Sequence, residues 1–262
     1  MLKFSLRAML LGAGLAMISS GTLAQPSPLV VPKGPEAVIL EKLKQARPEL
    51  PYGEPRLSPI PGLYQVQISG GPIIYVTPDG DKFIAGDLFT VEADDFARYE
   101  DPAIVEERKA LLAGLDPNQS IVFKPKGETK AVVYVFTDID CGYCRLLHRQ
   151  LETYEENGRK MPGYLDLGIE IRYLAYPRAG IPSDSANKLI GAWCAKDRQQ
   201  AITALKNQQP YKTELCEDNP VAADFELGGR LGVNGTPALW FPDGKLMPGY
   251  LPPAELARTL GI

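Results

Sequence analysis

The sequence has little histidine or cysteine and no long run of one charge. It contains one histidine, His148, and four cysteines among 262 residues, and its formal net charge is -4. No run of lysine and arginine is long enough to form the basic stripe that nucleic acids require, so a nucleic-acid partner is not expected. Hydrophobic residues make up 45% of the chain and charged residues 23%, which is typical of a globular protein.

One apolar stretch, at the amino terminus, resembles a targeting signal. Lys3 and Arg7 precede an apolar run from Ala8 to Ile18, and small residues lead to Ala24. The alternative is a membrane anchor, but about eleven apolar residues are too few for a bilayer, which needs ~20. Residues 1–24 are therefore predicted to be a cleaved signal peptide. Export would place all four cysteines where disulfides persist.

The region after the signal peptide predicts a small unit that needs a partner. Residues 25–61 form a proline-rich arm with one helical pattern at Glu36–Lys44. Residues 62–99 contain short runs with β-strand character, typical of a small antiparallel sheet. Such a sheet buries little apolar area, so this region is predicted to form a homodimer.

The remaining chain predicts a helix and then a larger domain. Residues 100–115 begin with proline and end near glycine, which is typical of a free-standing helix, here a linker between domains. Residues 116–262 alternate strand and helix patterns, which predicts an α/β domain. Within it, a buried strand at Ala131–Phe136 leads into a helix predicted to run from Cys141 to about Asn157.

The segment FTDIDCGYC places two cysteines at this junction of strand and helix. Free backbone N–H groups and the positive end of the helix dipole would stabilise a thiolate at Cys141, while Cys144 lies one turn inside and is less exposed. Cys141 is predicted to attack and Cys144 to resolve, and the pair would form a redox-active disulfide. Arg145 could add positive potential or could simply be a solvated helix residue.

The alternative for CGYC is half of a structural zinc site. Zinc ribbons usually offer a second close cysteine pair, but Cys194 and Cys216 lie far apart in the sequence. His148 lies on the same helix as CGYC, and we interpret it as a packed or surface histidine without a role. Cys194 and Cys216 are predicted to form a structural disulfide, the alternative being two buried free thiols.

Together these motifs resemble the bacterial periplasmic thiol:disulfide interchange proteins of the DsbC/DsbG family. The resemblance runs from about Gly62 to the end of the chain and rests on five segments: FTDIDCGYC, RYLAYPRAG, WCAKD, LGVNGTPA and PGYLPP. It implies a thioredoxin-like catalytic domain with inserted helices, a linker helix and a small antiparallel-sheet domain that forms a V-shaped homodimer. Gly142 resembles the DsbC branch, because the DsbG branch usually has proline there.

The resemblance also implies roles for single residues and partners. Thr236 and a cis Pro237 would lie beside the active site and, with Gly142 and Tyr143, contact substrate, although a Thr-Pro bond taken alone is more often an ordinary trans turn. The implied substrates are misfolded exported proteins with disulfides, and the implied reductant is a DsbD-type membrane protein. No cofactor or metal is implied.

The sequence departs from the family and from thioredoxin in three places, the first of which is the unusually proline-rich arm before Gly62. The segment 157–168 is longer than usual for the family. The buried acid that thioredoxin carries six residues before its first active-site cysteine is replaced here by Val135, so proton transfer at Cys144 must use water or another group.

The predicted function is a protein disulfide isomerase or reductase. The alternatives are a net dithiol oxidase and a sulfenic-acid reductase or chaperone like the DsbG branch.

Overall fold

The computed structural model describes residues 34–262, so the predicted signal peptide lies outside the described residues. The first part of this range is an antiparallel sheet with strands in sequential order: β1 (Arg56–Leu57), β2 (Tyr64–Gln67), β3 (Ile73–Val76) and β4 (Phe83–Ala85). Helix α1 (Pro35–Ala46) buries Ile39 and Leu43 in the core of this sheet. A separate hairpin follows, formed by β5 (Phe89–Val91) and β6 (Phe96–Arg98). The predicted small antiparallel sheet is confirmed.

Helix α2 (Pro102–Ala113) is anchored to the domain that follows it. Asp101 caps the helix by accepting a hydrogen bond from the Ala103 N–H at 2.9 Å. Arg108 is buried; it donates to the Leu231 carbonyl at 2.9 Å and pairs with Glu100 at 2.9 Å. Three leucines at and just after its end pack into the core of the larger domain: Leu111, Leu112 and Leu115. The helix is therefore not free-standing, because a buried cation and an apolar face hold it in place.

The larger domain is built on a mixed sheet and a separate hairpin. Its strands are β7 (Ile121–Phe123), β8 (Ala131–Thr137), β9 (Tyr154–Glu156), β10 (Arg159–Met161), β11 (Ile169–Ala175), β12 (Ala238–Trp240) and β13 (Leu246–Pro248). Five of them form one sheet in the order β13-β12-β8-β11-β7, in which β8 and β11 are parallel and the other neighbours antiparallel. The central strand β8 carries the chain directly to the CGYC segment.

Helices cover this sheet. They are α3 (Gly142–Arg149), α4 (Asp184–Cys194), α5 (Arg198–Lys206), α6 (Val221–Leu231) and α7 (Pro253–Leu260). Along β8, Val133 and Val135 enter one core cluster, while Tyr134 and Phe136 enter the other, because successive side chains of a strand point to opposite faces. The strand is therefore buried on both faces, as its apolar run predicted. In residues 34–262 no helix has the length and apolar character needed to cross a membrane.

The helix predicted from Cys141 to about Asn157 is wrong beyond Arg149. Helix α3 ends there, and β9 and β10 form a hairpin joined by Asn157 and Gly158. Both of these residues have positive φ, 51° and 72°. An Asn-Gly pair suits a tight two-residue hairpin turn, because both central positions require φ above zero. This hairpin accounts for part of the long segment 157–168.

Candidate active site

Cys141 is the amino-terminal cap of α3, where β8 has just ended. Its sulfur accepts a hydrogen bond from the Cys144 backbone N–H at 3.2 Å. The turn that leads to it is held by Asp138, which accepts a hydrogen bond from the Asp140 N–H at 2.8 Å. The Cys141 sulfur therefore lies at the unpaired N–H groups of the helix start, and the Cys144 sulfur lies in the first turn of the helix.

Both active-site sulfurs are free thiols, and both cysteines are buried. Cys141 is 2% exposed and Cys144 1% exposed, so the expected contrast in exposure is almost absent. The loop before β12 is in contact with the outer sulfur, because the Cys141 Sγ atom lies 3.2 Å from the Thr236 carbonyl oxygen. The Thr236–Pro237 peptide bond is cis. The Thr236 loop therefore lies directly against Cys141.

The two residues between the cysteines form the exposed rim of the site. Gly142 and Tyr143 are exposed, and the Tyr143 ring stacks on Tyr250 with a centroid distance of 6.1 Å. A Cβ added to Gly142 would meet no atom within 4 Å, so steric space does not require glycine there. A side chain at position 142 would therefore not disturb the core of the domain.

The environment separates the acidities of the two sulfurs. A hydrogen bond from Cys144 is the largest cause that lowers the pKa of Cys141, to about 5, and the charge of Arg178 contributes. Burial raises the pKa of Cys144 well above the usual range, and the hydrogen bond to Cys141 raises it further. At neutral pH, Cys141 is thus a thiolate and Cys144 a thiol. This is the division of roles that an attacking and a resolving cysteine need.

The cation that lowers the pKa of Cys141 is Arg178 rather than Arg145. Arg145 donates to the Ile139 carbonyl at 2.9 Å and to Asp140 at 3.2 Å, which orients it along the turn. Arg178 donates to Asp138 at 2.9 Å through its backbone N–H and at 3.1 Å through its side chain. Arg178 lies within the segment RYLAYPRAG, so the motif was visible in the sequence although its electrostatic role was not.

The carboxylate of Asp138 is buried and strongly hydrogen-bonded. Burial raises its pKa, but hydrogen bonds from Ser185 and Arg178 outweigh this effect, so that the pKa of Asp138 lies below its usual value. The Ser185 hydroxyl lies 2.5 Å from one carboxylate oxygen of Asp138, and the Arg178 side chain donates a hydrogen bond to the other carboxylate oxygen. Asp138 therefore remains ionised and fixes the loop on which Arg178 lies.

His148 is packed inside the domain. Its ring nitrogens lie 3.0 Å from the Tyr173 hydroxyl and 3.0 Å from the Thr203 hydroxyl. Burial lowers the pKa of His148 to about 3, with a smaller contribution from the charge of Lys206. The ring is therefore neutral at physiological pH and serves to join three elements of the fold.

Cys194 and Cys216 are joined by a disulfide. It connects the end of α4 to the loop before α6, with 5.7 Å between the two Cα atoms. These two sulfurs are therefore not available to complete a zinc site with CGYC. Cross-linking a loop of this size restricts the unfolded chain and stabilises a domain by about 3 kcal/mol in the chain-entropy description.

We expect the alkylation rate of Cys141 in the reduced protein to rise with pH about a midpoint near 5. The pKa of Cys141 is lower in the folded protein than in the unfolded chain, where it is ~8.5. The Cys141 thiolate therefore stabilises the reduced fold fully at pH above ~8.5, and this stabilisation is lost as the pH falls through the folded-state pKa. Iodoacetamide modification followed by mass spectrometry of the labelled peptide measures the midpoint. A midpoint above ~8 would remove the basis for an activated Cys141.

Two sequence comparisons match this architecture. A family profile described as thioredoxin-like domain matches residues 117–261, and one described as disulfide bond isomerase protein N-terminal domain matches residues 31–97. The thiol:disulfide interchange protein DsbC of Dickeya dadantii is 35% identical over 230 residues, which cover 88% of this chain and 88% of that protein. The DsbC protein of Escherichia coli is 35% identical over 203 residues, with 78% of each chain covered.

Among solved structures, the disulfide interchange protein from Neisseria gonorrhoeae is 30% identical to this chain, with a TM-score of 0.46. The match covers 56% of this chain and 96% of the gonococcal chain. The two family profiles occur in the order that the fold shows, with the antiparallel sheet first and the domain with CGYC second. The two DsbC relatives match most of their own length at more than a third identity. This chain therefore belongs to the DsbC family of thiol:disulfide interchange proteins.

Proposed function

We propose that this protein is a periplasmic disulfide isomerase and reductase in which the Cys141 thiolate attacks non-native disulfides. The observation that carries the proposal is the pair of acidities at CGYC, a depressed pKa at Cys141 beside a raised pKa at Cys144. A low pKa makes Cys141 a good leaving group as well as an available nucleophile. A catalyst that must attack wrong disulfides and then release the chain needs both properties.

The exchange steps balance without any cofactor. Attack forms a disulfide between Cys141 and one substrate sulfur, and the other substrate sulfur leaves as a thiolate. If a second substrate thiol then attacks, Cys141 is released and the substrate has a new disulfide, which is isomerisation. If Cys144 attacks instead, the CGYC pair becomes a disulfide and the substrate gains two electrons, so an external dithiol must reduce the pair again. A DsbD-type membrane reductase would supply those electrons.

The high pKa of Cys144 favours isomerisation over reduction. At neutral pH few Cys144 sulfurs are thiolates, so resolution is slow and the mixed disulfide persists. A substrate thiol then has time to compete for Cys141. The inner cysteine acts as a release mechanism for complexes that do not rearrange.

The backbone beside Cys141 would hold an extended substrate segment. Thr236 lies against the Cys141 sulfur, and Pro237 leads directly into β12. Backbone groups at the end of a strand can pair with an added extended chain, which gives affinity without strong sequence preference. The exposed side chain of Tyr143 would contact the same segment.

The protein would work as a homodimer through its amino-terminal sheet. Strands β4, β5 and β6 expose large apolar side chains, with exposures between 52% and 76%: Phe83, Ile84, Phe89, Val91 and Phe96. Exposed strand edges with apolar residues pair readily with another chain. A dimer would cover them and provide two CGYC sites for one misfolded substrate. Residues 1–24 would direct export to the periplasm.

Reactivation of disulfide-scrambled ribonuclease tests the proposal and separates it from a net oxidase. We expect the full-length reduced protein to restore ribonuclease activity at catalytic concentration without added oxidant, because isomerisation consumes no electrons. We also expect CGYC to be largely reduced in protein extracted under acid quench. An oxidised pair in the cell, with rapid oxidation of reduced ribonuclease and no reactivation of the scrambled form, would instead establish the oxidase.

A further inference from the structure

Lys206, at the end of α5, is a buried cation in the larger domain without a carboxylate partner. It is 1% exposed, and no aspartate or glutamate in residues 34–262 lies within ion-pair distance of its ammonium group. The ammonium donates to the Thr137 hydroxyl at 2.7 Å and to the Asp138 carbonyl at 3.3 Å. A charge is expensive to bury, so a lysine that is held this way without an anion needs an explanation.

Its position links it to the inner cysteine of the active site. Thr137 ends β8, and Asp138 begins the turn that delivers Cys141 to α3. The Asp138 carbonyl accepts a hydrogen bond from Lys206, and the Asp138 backbone N–H is one of the groups that lower the pKa of Cys144. The same peptide segment therefore contacts the buried ammonium and acts on the buried sulfur.

The neighbouring aromatic ring closes the space around the ammonium. The Lys206 nitrogen lies 5.2 Å from the centre of the Tyr173 ring, and the Tyr173 hydroxyl contacts His148, one turn after Cys144. The ring face attracts the cation but does not neutralise it. The titratable and charged groups that act on this position are Asp138, Cys141, Cys144, Arg145, His148 and Tyr173. Of these, only the two cysteines change charge during the exchange reaction.

The electrostatic effects of Lys206 and Cys144 are reciprocal. Burial lowers the pKa of Lys206 to about 8, and the negative charge of Cys144 is the largest effect that opposes this decrease. In return, the charge of Lys206 lowers the pKa of Cys144 against the effect of burial. The main cation acting on Cys141 is Arg178, so the two sulfurs have different cationic neighbours.

We propose that Lys206 is the charge partner of the resolving cysteine, at a site where Val135 takes the place of the buried acid. In the resolving step, the Cys144 thiol gives its proton to solvent water, and the resulting thiolate attacks the Cys141 sulfur of the mixed disulfide. The bond between Cys141 and the substrate sulfur breaks, and the departing substrate thiolate takes up a proton. The ammonium of Lys206 stabilises the transient Cys144 thiolate through space. Lys206 is thus a positioning residue, and this inference rests on the proposed role of Cys144.

The reaction of the reduced protein with 5,5′-dithiobis(2-nitrobenzoate) measures both sulfurs in one experiment. Attack by Cys141 releases the first thionitrobenzoate, and attack by Cys144 on the resulting mixed disulfide releases the second. Removing a nearby cation raises a thiol pKa by about two units. The thiolate fraction then falls about a hundredfold, and increased nucleophilicity restores about tenfold. In Lys206→Met we therefore expect the second phase at pH 7 to slow about tenfold, and its pH profile to move upward.

The first phase serves as the internal control, and Lys188→Met is the matched variant. Lys188 is a half-exposed lysine near the site that pairs with Asp140 at 2.9 Å, so its loss is not expected to change the second phase. A second phase with unchanged rate and pH profile in Lys206→Met would show that Lys206 only fills space. Failure of the wild type to release a second thionitrobenzoate would instead refute the proposed role of Cys144, so the two failures are distinguishable.

A measurement on the wild type avoids any question of folding in the variant. The titration of the Lys206 side chain can be followed by NMR in the dithiol and disulfide forms. Oxidation removes the negative charge of the cysteine pair, so we expect the pKa of Lys206 to be lower in the disulfide form by about one unit. Equal values in the two forms would show that the ammonium does not sense the cysteines, and the proposal would be wrong.

Discussion

Replacing Cys141 with serine is expected to reduce thiol–disulfide exchange to the uncatalysed background, while Cys144→Ser is expected to trap substrate on the protein. The hydroxyl of serine is not ionised at neutral pH and cannot replace a thiolate with a pKa of about 5. Cys144→Ser retains the attacking sulfur but lacks the group that releases stalled complexes. Acid-quenched reactions with scrambled ribonuclease, resolved on non-reducing gels and by mass spectrometry, measure the adduct.

The double variant with both serines is the control for adducts formed through other sulfurs. Because Cys194 and Cys216 are joined in a disulfide, we expect this variant to accumulate no adduct. The opposite pattern, with adducts in Cys141→Ser and none in Cys144→Ser, would reverse the assigned roles.

The position of CGYC at a helix start could be predicted from the sequence because its determinants are local. A buried strand, a short turn and a helix start place Cys141 among free N–H groups whatever the rest of the fold does. The short apolar runs at 63–76 likewise predicted strands that the structure contains. Asn157-Gly158 was an equally local signal for a hairpin, and it was missed because the helical pattern was extended through it.

The electrostatic environment of the site could not be predicted in the same way. Arg178 reaches the site from the loop after β11, and Lys206 reaches it from the end of α5. Neither residue is near CGYC in the sequence, and a lysine at the end of a helix usually lies in solvent. The near-complete burial of Cys141 also depends on the Thr236 loop, which is distant in sequence. Contacts of this kind arise only from the tertiary fold.

Charged substitutions on the amino-terminal strands are expected to give a monomer that reduces small disulfides normally but isomerises scrambled ribonuclease poorly. Ile84 is 65% exposed on the outer strand β4, and Val91 is 76% exposed on β5. Ile84→Glu combined with Val91→Glu would bring like charges together across a dimer interface while leaving the monomer core intact. Substitution is preferable to deletion before Asp116, because Leu111 and Leu112 pack into the larger domain.

The expected loss follows from how a misfolded chain is retained. A substrate held by two linked surfaces experiences a high effective concentration at each site, and loss of one surface reduces apparent affinity by about tenfold or more. Sedimentation velocity reports the oligomeric state, and parallel assays compare small-disulfide reduction with reactivation per CGYC site. Leu215→Glu, at a 61% exposed position of the larger domain, is the matched control. A monomer with full isomerase activity per site would show that dimerisation is not part of the mechanism, and a persistent dimer would place the interface elsewhere.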